Sequence, residues 1–167
     1  DDVISILDAC GAVGLNGRKL DRSAIPVFNP QVPLHMLQNN GALSVIVINA
    51  SSFRKIAIEY GSEAYNKVQD AFYQIVYDLW GAAGSFRTSD ILCRKSLHSN
   101  SYYIFLEQSR SQSGVPMPTI LEKLTERLAI KLQNSFWEEM FKRPNERILP
   151  SCLEMVPEIA VGFNTTL

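Results

Sequence analysis

Among the charged side chains of this 167-residue chain, the pair in Arg87-Thr88-Ser89-Asp90 has the types and spacing best suited to holding a polar ligand. A guanidinium donates a planar fork of hydrogen bonds, to guanine O6 and N7 or to a phosphate. A carboxylate three residues on accepts from guanine N1–H and N2–H. The pattern alone is common: nine arginines and seven aspartates give roughly 0.4 chance matches in a chain of this composition. A second match, Arg18-Lys19-Leu20-Asp21, does occur. The bland reading of Arg87 and Asp90 is an exposed turn pair contributing under ~1 kcal/mol.

The other reactive types are sparse. His35 and His98 are the only histidines, and neither has an acidic cluster nearby in sequence; both read as ordinary loop or core residues rather than as a base or metal ligand. Cys10, Cys93 and Cys152 are odd in number and far apart, so reduced, packed thiols are expected. The glycine-rich stretch Gly11 to Gly17 lacks the Lys-Ser/Thr of a P-loop and reads as a plain loop. Lys142, Arg143 and Arg147 form a small basic cluster, read as a solvated face rather than an RNA contact. Tyr103 and Phe105 share one face by strand alternation, and packing is favoured over base stacking for them.

The elements that position these residues follow from hydrophobic period. The run Leu43 to Ile48 is β-branched and bounded by Gly41 and Asn49, so a central strand buried on both faces is expected. Phe53 to Glu59 reads as a short helix capped by Ser51 or Ser52 and ended at Tyr60-Gly61. Glu63 to Trp80 carries Ala64, Val68, Ala71, Phe72, Ile75, Val76 and Leu79 at three- and four-residue spacing, one helical stripe. Phe86 to Leu92 and Tyr102 to Leu106 read as strands. Thr119 to Leu132, capped near Thr119 and continuing through Phe136 to Phe141, reads as a second long helix, and Ile159 to Phe163 as a last strand. Pro26, Pro30 and Pro33 break up the lead-in, leaving Leu34 to Gln38 as a turn or two of helix. Residues 1–40 are therefore expected to be a lead-in with short helices, and 41–167 one α/β domain with a mixed sheet packed by helices.

Hydrophobic residues make up 46% and charged residues 20%, with a formal net charge of −1. Such a balance fits a soluble domain and offers no field for nucleic acid or an anionic membrane. No apolar run reaches the ~20 residues that span a bilayer. The Asp1-Asp2 start, without a basic region, reads as a processed or excised fragment with no signal peptide, and a cytoplasmic location is expected.

Taken in order, these motifs resemble the GGDEF family of diguanylate cyclases. Phe53, Ile56, Tyr60 and Gly61 match F, I, Y and G of that family's D-x-x-x-F-K-x-I-N-D-x-Y-G pattern, with Arg54 for Lys. Arg87 to Asp90 matches its R-x-x-D product site. Ser99-Asn100-Ser101-Tyr102-Tyr103 falls at the GGDEF hairpin, Leu124-Thr125-Glu126-Arg127-Leu128 at the following helix, and Ala160-Val161-Gly162-Phe163 at the last strand. The resemblance implies a palm-type, nucleotidyl-cyclase-like fold with a ferredoxin-like core. It also implies that Arg127, often from a second subunit, completes a cyclic di-GMP site with Arg87 and Asp90. Arg94 matches a family arginine just before the hairpin, and the resemblance counts it with the cyclic di-GMP-binding residues.

The departures carry the functional expectation. The family's first metal-binding aspartate aligns with Asn49, its acidic pair with Ser101 and Tyr102, and its paired glycines with Ser99 and Asn100. Its guanine- and ribose-contacting Asn and Asp align with Ala57 and Asn66. Mg²⁺-assisted phosphoryl transfer needs carboxylates to hold the metal, and here they are gone. The expectation is an inactive cyclase homologue, needing no cofactor or Mg²⁺, that binds cyclic di-GMP and signals through dimerisation or an attached output domain, such as one of the EAL phosphodiesterase type. The alternatives are a dimerisation or protein-docking module that binds no nucleotide, and a GTP-binding regulatory domain.

Overall fold

The computed structural model describes residues 25–81, 86, 89–106, 114–140 and 159–165. Their elements in chain order are α1 (Gln31–Asn40), β1 (Ser44–Asn49), a 3₁₀ turn (Ser51–Phe53), α2 (Arg54–Tyr60), α3 (Ser62–Gly81), β2 (Ile91–Arg94), β3 (Ser101–Leu106), α4 (Met117–Met140) and β4 (Ala160–Thr165).

The strands form one sheet in the order β2-β3-β1-β4, and every neighbouring pair is antiparallel. The expected mixed sheet is therefore corrected to an antiparallel one. The physical reason is an insertion. The β1–helix–β2 crossover does make β1 and β2 run the same way, but β3 folds back from β2 by a hairpin and takes the place between them. The chain thus follows the split β-α-β connectivity. A single parallel bridge, Val27 with Arg94, lies outside the four strands.

Strand alternation divides the apolar residues between two layers. On one face Ile46, Ile48, Leu92, Tyr102, Ile104 and Leu106 pack beneath α3 and α4. The α4 stripe Leu121, Leu124, Leu128, Leu132, Phe136 and Met140 is buried along its length, and Val68, Phe72, Ile75 and Val76 supply the matching stripe of α3. On the other face Ile91, Cys93 and Phe105 meet Val32 and Met36 of α1, with Phe28, Val45 and Tyr103 partly covered. Tyr103 and Phe105 do share a face and pack there, both within 6 Å of the Phe28 ring centroid (5.4 and 5.9 Å). β1 is fully buried on the helical face only; Val45 and Val47 are half-buried.

Several boundaries differ from the sequence expectation. The strand expected over Phe86 to Leu92 begins only at Ile91 and runs to Arg94. Phe53, not Ser51 or Ser52, sits at the N-cap of the short helix; the Ser51 amide donates to Asn49 Oδ1 at 2.9 Å, an Asx-type turn. Met117 starts α4, so Thr119 lies in the first turn, its amide donating to the Pro116 carbonyl. α1 reaches back to Gln31 because Pro33 sits in the first turn, where its missing N–H costs nothing. Gly41 (φ 71°) ends α1 with its amide on the Leu37 carbonyl, and Gly61 (φ 89°) makes the corner between α2 and α3. The stretches around Cys10, Gly11 to Gly17, Arg18 to Asp21, Lys142 to Arg147 and Cys152 lie outside the described residues.

Candidate functional site

Three places bear on the expected chemistry: the end of β1, the β2–β3 hairpin and the outer surface of α4. The antiparallel register sets Asn49 directly opposite Ser101, with Ala160 on its other side. Opposed residues of an antiparallel pair project to the same face, so Asn49 and Ser101 stand together at one end of the sheet. Neither carries charge. Tyr102, the next residue, projects to the opposite face and is 1% exposed. Burial pushes its phenol well above the ordinary tyrosine range; the neighbouring Tyr73 adds to the shift and the Arg94 guanidinium opposes it. Tyr102 is thus a core residue and cannot meet a ligand at the hairpin surface.

The hairpin itself is fastened from α3. Asn100, 6% exposed, donates from Nδ2 to the Tyr65 hydroxyl at 2.8 Å and accepts at Oδ1 from Gln69 Nε2 at 3.0 Å. Gln69 Nε2 also donates to the His98 carbonyl at 2.9 Å, and the Ala50 amide donates to the Asn100 carbonyl at 3.0 Å. Where the resemblance would put paired glycines, Asn100 ties the loop to a helix. The sequence offers no signal for this network, because the partners of the Asn100 side chain lie 31 and 35 residues away. Replacing Asn100 with alanine removes its bonds to the Tyr65 hydroxyl and from the Gln69 amide, leaving Gln69 only its bond to the His98 carbonyl and a long contact to Tyr65. The expected loss is ~2 kcal/mol, read as a lower urea midpoint at unchanged slope.

Arg94 belongs to the same scaffold. Its Nε donates to the Ser99 carbonyl at 2.7 Å, and its guanidinium lies 5.4 Å from the Tyr73 ring centroid and 5.8 Å from that of Tyr102. Cation–π contact and a charge-assisted hydrogen bond together hold the side chain in place. The backbone of Arg94 is bonded as well: its amide donates to the Pro26 carbonyl and its carbonyl accepts from the Phe28 amide, both at 2.7 Å. Arg94 therefore positions the hairpin with its side chain and the Pro26-to-Phe28 segment with its backbone; this use of its side chain was not foreseen from the motif.

Of the R-x-x-D stretch, Arg87 lies outside the described residues, while Asp90 is 2% exposed immediately before β2. The exposed-turn reading of Asp90 is thereby ruled out. Phe86, the residue before Arg87, stacks on Trp80 with ring centroids 5.3 Å apart. It also lines a shallow groove together with Leu79, Leu124, Arg127, Leu128 and Lys131. The groove encloses only about 20 Å³, room for about one water, so a nucleotide would lie along it rather than inside it. The fold thus places Arg127 beside Phe86, the residue that precedes Arg87 in the sequence. Lys131, passed over by the motif, lines the same groove; its four-residue spacing from Arg127 was the signal available.

The remaining expectations concern ordinary positions. His35 Nε2 is 2.9 Å from Asn39 Nδ2 on the exposed side of α1, and His98 is an exposed hairpin residue. Among the described residues, no cluster of three or more His, Cys, Asp or Glu side chains is arranged to hold a metal, and no helix is long and apolar enough to cross a membrane. Neither a protein-family model nor a curated protein matches this chain.

Proposed function

We propose that this chain is a catalytically inactive, nucleotidyl-cyclase-like palm domain of the GGDEF type that binds cyclic di-GMP and relays its occupancy to a partner domain. In this reading Arg87 holds the guanine edge, Arg127 contacts a phosphate and Arg94 keeps the hairpin in place; Asp90, 2% exposed, does not reach a ligand lying on the surface groove. The observation that carries the reading is the shared groove: Phe86, which leads into the R-x-x-D stretch, and Arg127, 41 positions later, line one surface depression. Split β-α-β connectivity supports the same assignment, since it puts the hairpin beside the end of β1. Asn49 facing Ser101 supports the loss of catalysis: two positions that would hold metal carboxylates are neutral neighbours. Signalling then requires the ligand to bind two conformations or assembly states with different affinity.

A thermal-shift series tests this with cyclic di-GMP, GTP and no ligand. At a hundredfold excess over Kd, a ligand that binds only the folded chain adds ~2.7 kcal/mol, which in a domain of this size raises Tm by roughly 5–10 °C. The expected result is such a rise with cyclic di-GMP, none with GTP, and loss of the rise in Arg87→Ala. A flat response to cyclic di-GMP, or formation of cyclic di-GMP from Mg²⁺-GTP by the purified chain, overturns the proposal.

A further inference from the structure

The geometry points to Lys131 as a further ligand-contacting residue, with Arg127 and Lys131 together forming the phosphate-binding half of the groove on α4. This rests on the cyclic di-GMP reading above and adds to it a residue that no motif marks. Among the described residues the groove is lined by Leu79, Phe86, Leu124, Arg127, Leu128 and Lys131: four apolar side chains, two cations and no acid. Positions 124, 127, 128 and 131 are spaced by three and four, so they form one stripe along the helix.

Nothing on the helix neutralises the two cations. Three and four residues either side of Arg127 stand Lys123, Leu124, Ile130 and Lys131; around Lys131 stand Arg127, Leu128, Asn134 and Ser135. Among the described residues neither side chain makes an ion pair. Two like charges one turn apart repel each other, and an anion seated between them removes that repulsion. The apolar lining narrows the kind of anion. A buried tail has no room, because the enclosed space is about 20 Å³. A phosphodiester flanked by a purine fits the surface instead: its charge lies between Arg127 and Lys131, and its base lies against Phe86, which Trp80 backs at 5.3 Å. Arginine supplies a directional fork and lysine a point charge without one, so the pair accepts a phosphate in more than one orientation.

Calorimetric titration of the whole chain with cyclic di-GMP at two salt concentrations tests this. Lys131→Ala is expected to bind ~10-fold more weakly, with a shallower salt dependence, since one cation fewer meets the phosphate. Lys131→Arg should stay within ~3-fold of the original. Lys123→Ala, which removes an exposed cation one turn away and off the groove, should leave affinity unchanged. Binding by the original chain with equal affinity in Lys131→Ala overturns the inference and leaves the receptor reading standing. An equal loss in Lys123→Ala also overturns it, because general attraction would then suffice. If the original chain does not bind, the receptor reading fails and the inference falls with it. Lys131 is exposed, so a melting curve by circular dichroism should show the variants folded.

Discussion

Replacing Phe72 with alanine is expected to remove ~3–5 kcal/mol of stability and leave much of the chain unfolded at 37 °C. Phe72 is fully buried on α3. Its ring meets Phe53 edge-on at 5.0 Å, Tyr102 at 5.9 Å and Phe136 at 6.3 Å. Those partners come from the 3₁₀ turn, β3 and α4, so one side chain joins four elements. Deleting it forfeits transfer energy, leaves a cavity that rigid neighbours cannot close, and dissolves three ring contacts worth ~0.5–1.5 kcal/mol each. A domain whose whole stability is ~5–15 kcal/mol does not absorb that easily. Urea unfolding followed by circular dichroism reads the effect, and Phe72→Leu should lose distinctly less. A loss below ~1 kcal/mol would mean that the core repacks around the gap rather than holding its ring contacts in place.

The second large effect concerns an attempt to restore acidity at the hairpin. Tyr102→Glu puts a carboxylate where the resemblance calls for one, yet it is expected to unfold the chain at neutral pH rather than to build a metal site. The position is 1% exposed and faces Phe72, not the hairpin surface. Burying a carboxylate there costs several kcal/mol even with Arg94 near enough to offset part of it. The pH dependence follows from the sign of that cost. Burial raises the folded-state pKa of the introduced acid above its unfolded value. The variant is therefore least handicapped below about pH 4, where the acid is neutral in both states. The penalty grows as pH rises through the unfolded pKa towards the folded one. Melting curves across this range, compared with the unaltered chain at each pH, check the prediction. Ser101→Asp, on the opposite face, should be tolerated at neutral pH. A folded, stable Tyr102→Glu chain at pH 7 would show that the side chain can leave the core.

Much of the architecture was legible because it depends on local period. The three- and four-residue spacing in Glu63 to Trp80 and the leucine stripe after Thr119, with its extension through Phe136, defined α3 and α4 within a few residues. Alternation in β3 correctly put Tyr103 and Phe105 on one face. The sheet's direction was not legible. A strand-helix-strand sequence reads as parallel neighbours, and only the insertion of β3 between β1 and β2 makes every pairing antiparallel. The start of β2 was misplaced because Phe86 looks like a strand residue but spends its ring against Trp80.

For the candidate site, the chain's own residue order determined the chemistry available: Asn49 and Ser101 bring no charge, while Arg87, Asp90 and Arg127 bring complementary groups. Residue type is a local property, and no folding changes it. Tertiary structure alone decided which of those groups meet. Register set Asn49 against Ser101 and turned Tyr102 inward, contacts across 31 to 35 residues fastened Asn100 to α3, and helix packing brought Arg127 and Lys131 beside Phe86. Those outcomes depend on how two buried layers close around one sheet, which is a global balance of packing and hydrogen bonding that no short window of sequence contains.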